Sequence, residues 1–245
     1  MVLVLESASQ PAAPRAASGI ELLDLLLRDQ ELREGCNRFI RRASRDVGDD
    51  CANVHVVQGE WAEVAMPQDC RVLLGSTGAT TCCVAVLCDK ATRTASVSHH
   101  GPKVLATLAS MHAPAFYLAG GYSRACGTGQ RLCAALLSEL HQARQPITLK
   151  LLCIAEFNTS EGGAPLCQSL VVDPLAQQAW RVGEWRDRGP LLHARMAQFW
   201  YDTGAAGSMP HVRLLPESPP RLQLTVTRGR LSLPLRLHLE VRIIE

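Results

Sequence analysis

The sequence predicts an α/β (α+β) fold whose strands are mostly antiparallel. Apolar residues recur at helical spacing over residues 20–40 and 130–144, while elsewhere they gather in short runs rich in valine and leucine. Two pairs of these runs are joined by polar turn segments, residues 89–93 and Asp173-Pro174, as the strands of hairpins are. With 47% hydrophobic residues in a chain of 245, there is ample material for a core.

Taken in order, residues 2–5 read as a short strand, followed to residue 18 by an Ala-, Pro- and Ser-rich connector. Ile20, Leu22, Leu23, Leu26 and Leu27 share one face of a helix, and the pattern runs on to Phe39 and Ile40. Arg38, Arg41 and Arg42 beside them read as a solvated basic face near the helix end, with anion binding as the alternative. From residue 53 the period shortens, and Val54, Val56, Trp61 and Val64 suggest extended segments leading to the turn Pro67-Gln68-Asp69. Residues 71–75 form a strand, 76–81 a loop of small residues, and 82–88 a second strand that turns back into 94–100. A helix follows at 103–111, then a strand at 116–119 ending on Gly120-Gly121. Next come an amphipathic helix at 130–144, with Leu132, Leu136, Leu137 and Leu140 inward, and a strand at 148–156. Residues 169–172 and 178–182 make a second hairpin. Residues 204–245, proline-rich and then alternating Leu with Arg or His, suit an edge strand, a terminal tail or a segment that does not fold.

Twenty-five basic residues against 23 acidic ones create no broad field for nucleic acid or an anionic membrane. No window approaches the roughly 20 uninterrupted apolar residues of a membrane span, and residues 1–6 lack the basic start and apolar length of a signal peptide. Ten cysteines in this length fall well below the roughly 8–10% that marks a disulfide scaffold. Cys82, Cys83, Cys88, Cys133 and Cys153 instead lie in strand-like or helix-like segments, as buried thiols of a reducing compartment do. The expectation is a soluble cytoplasmic or nuclear protein with a small or protein substrate and no nucleic-acid or membrane partner.

The segment Gly75-Ser-Thr-Gly-Ala-Thr-Thr-Cys82 joins two strands through small residues, which leave room for backbone N–H groups to converge as an oxyanion hole. Ser76, Thr80 and Thr81 are its candidate oxyanion or substrate-binding residues. A thiol attacks only as thiolate and needs a base. A hairpin closed tightly at 89–92 sets Cys82 opposite His99 on one sheet face, and a slip of one residue would set it opposite His100. The group that orients the imidazole remains open between Ser98, a backbone carbonyl and Glu156. By residue type alone Cys82 also fits a buried structural thiol. Zinc binding by Cys82, Cys83, Cys88, His99 and His100 is disfavoured, because adjacent pairs lack the usual gaps between ligands. Gly120 and Gly121 lack the lysine and spacing of a phosphate loop and read as a backbone bend lining a pocket. Glu156 closes a strand where an acid can meet a substrate amine.

Several separated motifs across residues 54–200, in order, resemble the protein N-terminal asparagine amidohydrolase family. They are Leu74-Gly-Ser-Thr-Gly-Ala-Thr-Thr-Cys82, Ser98-His99, Tyr117-Leu-Ala-Gly-Gly-Tyr-Ser123, Leu137-Ser-Glu-Leu140, Leu152-Cys-Ile-Ala-Glu-Phe-Asn158 and Asp187-Arg-Gly-Pro190. The resemblance implies an αββ-type sandwich similar to bacterial toxin glutamine deamidases. It also implies a cysteine-dependent hydrolase of linear amides that needs no cofactor or metal. Such an enzyme converts the N-terminal asparagine of proteins to aspartate through a thioester, releasing ammonia and feeding the N-degron pathway of arginylation and ubiquitin-dependent degradation. Cys82 is then the nucleophile and His99 its partner, with Ser98 beside it in the catalytic set. Thr77 and Gly78 stand where the family carries an acidic pair, which leaves Glu156 and Glu6 as acids for the substrate's α-ammonium.

The implied organisation is an amidohydrolase domain over residues 1–203, made of an N-terminal strand and helix (1–53) and a catalytic core (54–203), with a divergent C-terminal tail at 204–245. Its partners are protein or peptide N-termini, and the chain is expected to be a monomer. The alternatives are a catalytically inactive module that binds N-terminal peptides and a cysteine deamidase with a changed substrate.

Overall fold

Extended apolar runs must find partners for every backbone N–H and C=O group they bury, and this chain satisfies them in three sheets. The computed structural model describes residues 3–5, 18–48, 52–66, 71–99, 108–123, 127–143, 146–186, 211–215, 221–227 and 239–244. The main sheet runs in the order β1 (Leu3–Leu5), β9 (Ile147–Ala155), β8 (Ala115–Tyr122), β6 (Cys83–Asp89), β7 (Thr94–His99), β4 (Trp61–Ala65), β13 (His211–Leu215), β14 (Arg221–Thr227) and β15 (Leu239–Ile244). A second sheet has the order β11 (Gln178–Trp180), β10 (Leu170–Asp173), β5 (Val72–Ser76) and β3 (Ala52–His55), and β12 (Val182–Trp185) pairs with β2 (Arg45–Val47).

The expected antiparallel pairing holds at the centre of the main sheet, from β8 through β6 and β7 to β4. Its flanks depart from it, because β9 runs parallel to both β1 and β8, and β13 parallel to β4. The reason at β8 and β9 is helix α3 (Thr128–Gln142), which crosses between them and returns the chain in the same direction. Three strands after residue 204 lengthen the sheet beyond β4, and of these only β15 lies at its edge.

One core binds the two large sheets, with Leu74 and Val172 of the second sheet and Val84, Val86 and Leu151 of the first among its buried members. Helix α3 packs on β8, β9 and β6, and α1 (Gly19–Arg28) lies on α3. At that crossing Gly19 sits so close to the Ala134 carbonyl that a Cβ would meet it at 2.0 Å. The single helix expected over 20–40 is two helices, α1 and α2 (Gln30–Arg41), and Ile20 is exposed. Asp29 breaks it by serving as C-cap of α1 and N-cap of α2, its Oδ1 accepting from the Leu32 N–H at 2.9 Å. Ser18 and Glu21 close the other end of α1 as a capping box.

The second hairpin forms as expected, with Asp173 Oδ1 accepting from the N–H groups of Leu175 and Ala176 in its turn. The helix expected at 103–111 falls mostly outside the described residues, which show a 3-10 turn at 108–110. Glu6, the turn at 67–69, His100 and the motif at 187–190 also lie outside them. Among the described residues no helix is long and apolar enough to cross a membrane.

Candidate active site

The β6–β7 hairpin decides what Cys82 meets, and its register differs from the expected one by two residues. Asp89 is still paired, opposite Thr94, so the turn occupies residues 90–93 and His99 lies opposite Val84. Asp89 fixes this turn by accepting from the Ala91 N–H at 2.9 Å. Because side chains alternate with period two, a slip of two residues keeps every side chain on its face. Cys82, just ahead of β6, therefore still reaches the imidazole: its Sγ is 3.1 Å from His99 Nε2.

The other ring nitrogen, Nδ1, lies 2.7 Å from Ser76 Oγ at the end of β5, across the gap between the sheets. Ser76 also contacts the Val56 carbonyl at 2.5 Å. That carbonyl can only accept, so the Ser76 hydroxyl donates to it and offers its oxygen to His99 Nδ1–H. Nε2 is then the bare nitrogen facing the thiol, the tautomer a general base requires. Ser76 therefore takes the orienting position expected of Ser98 or Glu156. Ser98 is the neighbour of His99 on a strand and projects to the opposite face. Glu156 sits exposed just beyond β9, three strands away from β7.

The turn after β3 braces both partners. Besides the Val56 carbonyl, it supplies the Gly59 N–H to the His99 carbonyl at 2.7 Å, and the Glu60 carbonyl accepts from the His99 N–H at 3.0 Å. Glu60 holds the turn itself, its carboxylate accepting from the Val57 N–H at 2.9 Å. The other side of the nucleophile is held by β8. The Gly121 N–H donates to the Cys82 carbonyl at 2.7 Å, and Gly120, at φ 99°, approaches so closely that a Cβ would stand 2.7 Å from that carbonyl. The bend expected at Gly120-Gly121 is thus a clamp on the nucleophile loop.

Cys82, His99 and Ser76 are all nearly sealed, at 3%, 2% and 0% exposure, yet Gly78 and Thr80 on the same loop are exposed. Burial pushes the Cys82 thiol above its ordinary value, while backbone N–H groups of Cys82 itself and of Thr80 favour the thiolate. Those main-chain amides of Thr80 and Cys82 are donors of the kind an oxyanion hole needs. With the thiol pushed up, its proton has to leave for Nε2 as sulfur attacks.

The sequence pattern pointed to Cys82, His99 and the loop, but gave no sign of Val56 or His55. His55, buried on β3, places Nε2 3.1 Å from Thr77 Oγ1 and sets its ring against Trp185 with centroids 4.6 Å apart. Period-two spacing places it on a strand, but only the packing of β3 beside β5 brings it to the loop.

A two-sheet α+β sandwich that holds a thiol, an imidazole and a hydroxyl in one relay is of the class equipped for acyl transfer through cysteine. The sequence model of the family described as protein N-terminal asparagine amidohydrolase matches residues 42–212, and the chain belongs to that family. Two relatives named protein N-terminal asparagine amidohydrolase, from Mus musculus and Homo sapiens, are each 30% identical over 167 residues, covering 59% of this chain and 52% of their own length. The chain thus aligns with about half the length of these curated relatives.

Proposed function

We propose that this chain hydrolyses the side-chain amide of an N-terminal asparagine, with Cys82 as nucleophile, His99 as acid and base, and Ser76 orienting the imidazole. The observation that carries it is the relay Cys82–His99–Ser76, at 3.1 and 2.7 Å, inside a member of this family. Cys82 Sγ attacks the amide carbon as its proton passes to His99 Nε2, and the amides of Thr80 and Cys82 receive the negative oxygen. Nε2–H then protonates the departing nitrogen, which leaves as ammonia, and a thioester remains. Water, giving its proton to Nε2, hydrolyses the thioester to aspartate and restores the thiol.

Glu156 belongs to the substrate side of this proposal, as an acid for the α-ammonium, while Gly120 and Gly121 clamp the loop that carries Cys82 and border the pocket for the substrate. An aspartate product would pass to arginylation and ubiquitin-dependent degradation, in the cytoplasm or nucleus. Seven described cysteines without a disulfide between them fit such a reducing compartment.

Incubating the full chain with an Asn-initiated peptide and following intact mass tests the proposal, the expected result being the mass gain of amide-to-acid conversion. Saturable binding of that peptide without ammonia release would leave an N-terminal-peptide binding module instead. Turnover of a Gln-initiated or internal amide in its place would mark a deamidase with another substrate.

A further inference from the structure

Beside the relay lies a buried polar set that takes no part in its proton transfers. Asn53 and His55 share one face of β3, and both meet Trp185 of β12. The Trp185 Nε1–H donates to Asn53 Oδ1 at 3.1 Å, and its ring stands edge-on to the His55 ring with centroids 4.6 Å apart. His55 Nε2 in turn lies 3.1 Å from Thr77 Oγ1, where β5 gives way to the loop that carries Cys82. Asn53, His55 and Trp185 are buried, while Thr77 is half-buried and its neighbour Gly78 exposed.

Burying an amide and an imidazole costs free energy unless each finds partners, and the bonds made in return recover little beyond that cost. Apolar side chains would fill the same space without it. What a satisfied buried network adds is one fixed geometry. Here that geometry reaches residues 75–77, which the end of β3 grips in succession. The Val56 N–H donates to the Gly75 carbonyl at 3.1 Å, the Val56 carbonyl accepts from the Ser76 hydroxyl, and His55 holds the Thr77 side chain. Farther along, the loop is tied by main-chain bonds, from the Ala79 N–H to the Gln168 carbonyl at 2.8 Å and from the Gly121 N–H to the Cys82 carbonyl at 2.7 Å. Gly78, at φ 77°, has open space around it, so the bond at Thr77 sets the direction in which the loop leaves β5.

We propose that His55 is a positioning residue for the nucleophile loop: by holding the Thr77 hydroxyl it keeps Ser76 aligned with His99, and the amides of Thr80 and Cys82 in place. This role rests on the Cys82–His99–Ser76 relay and not on which amide that relay cleaves. A displacement of about 1 Å among reacting groups can cost about 10²-fold in rate, and a loop released at one of several anchors should lose less, about tenfold.

The test is the rate at which iodoacetamide alkylates Cys82 in the full chain, read from fragment masses, beside kcat and KM for an Asn-initiated peptide. Thr77→Val, which keeps the shape and loses the hydroxyl, should slow alkylation and lower kcat about tenfold, with KM within about threefold. Thr77→Ser should retain both rates, and His55→Phe, which keeps a ring against Trp185, should match Thr77→Val. Because the two residues act through one bond, the double variant should lose no more than about twofold beyond either single one. Unchanged alkylation in Thr77→Val, an equal loss in Thr77→Ser, additive losses in the double variant, or a fall in urea stability alone would overturn the proposal. A raised KM with unchanged kcat would overturn it too, by making Thr77 a substrate contact. Alkylation needs no amide substrate, so it decides the role of His55 even in a chain that hydrolyses no Asn-initiated peptide.

Discussion

A serine hydroxyl has one proton to give, and at Ser76 the Val56 carbonyl takes it, which leaves His99 with its proton on Nδ1 and its lone pair towards sulfur. Replacing Ser76 with alanine removes this constraint and strands a buried carbonyl. Turnover of an Asn-initiated peptide should fall by about 10²–10⁴-fold, and stability by about 1–3 kcal/mol. Ser98→Ala should leave turnover within about threefold, since Ser98 projects away from the imidazole. Cys82→Ala should abolish ammonia release while Cys83→Ala keeps it, measured by peptide mass, because Cys83 points to the opposite face and is buried in the core. Equal loss in both cysteine variants would remove Cys82 from its role.

At the scale of the element, two short pieces of backbone hold the chemistry: the turn after β3 and the end of β8. Gly120 sits at φ 99° against the Cys82 carbonyl, so Gly120→Ala brings both strain and a clash. We expect a loss of roughly 1–3 kcal/mol in urea denaturation, together with a fall in turnover that lower temperature does not restore. Gly59, at φ 86°, donates to the His99 carbonyl, and Gly59→Val should likewise lower both stability and rate. By contrast, Asp29→Ala removes the cap between α1 and α2, far from the relay. It should cost about 0.5–2 kcal/mol of stability with turnover at permissive temperature unchanged.

Across the whole molecule, buried thiols make stability depend on alkali. Burial pushes Cys88 up to about 12, and Cys83 is raised well above its ordinary value first by its hydrogen bond with Cys133, burial adding to it. Cys153 is raised first by its hydrogen bond with Cys167, but the same bond lowers Cys167, so that pair offsets itself in part and the alkaline effect rests on Cys88 and Cys83. Unfolding returns each thiol to an ordinary value near 9, so above that pH the unfolded chain binds fewer protons than the folded one. Stability should be at its full value below pH 9 and fall as pH rises towards 12, at up to about 1.4 kcal/mol per pH unit for each such thiol. Urea midpoints measured across this range check it, and Cys88→Ala should make the slope shallower. A flat profile would mean that these thiols ionise in the folded state as readily as in the unfolded one.

The spacing of apolar residues was enough to set most strands, the helix after β8, both hairpins and the Cys82–His99 pair, because these depend on local period and on a short loop whose two-residue error leaves side chains on their face. It could not reveal that Asp29 divides a helix, since an aspartate caps only where the backbone already turns. Nor could it choose Ser76 over Ser98, although both are serines near the loop. That choice rests on how β5 stacks across β7 and on which carbonyl the turn after β3 presents, and contacts between sheets leave no period in the chain.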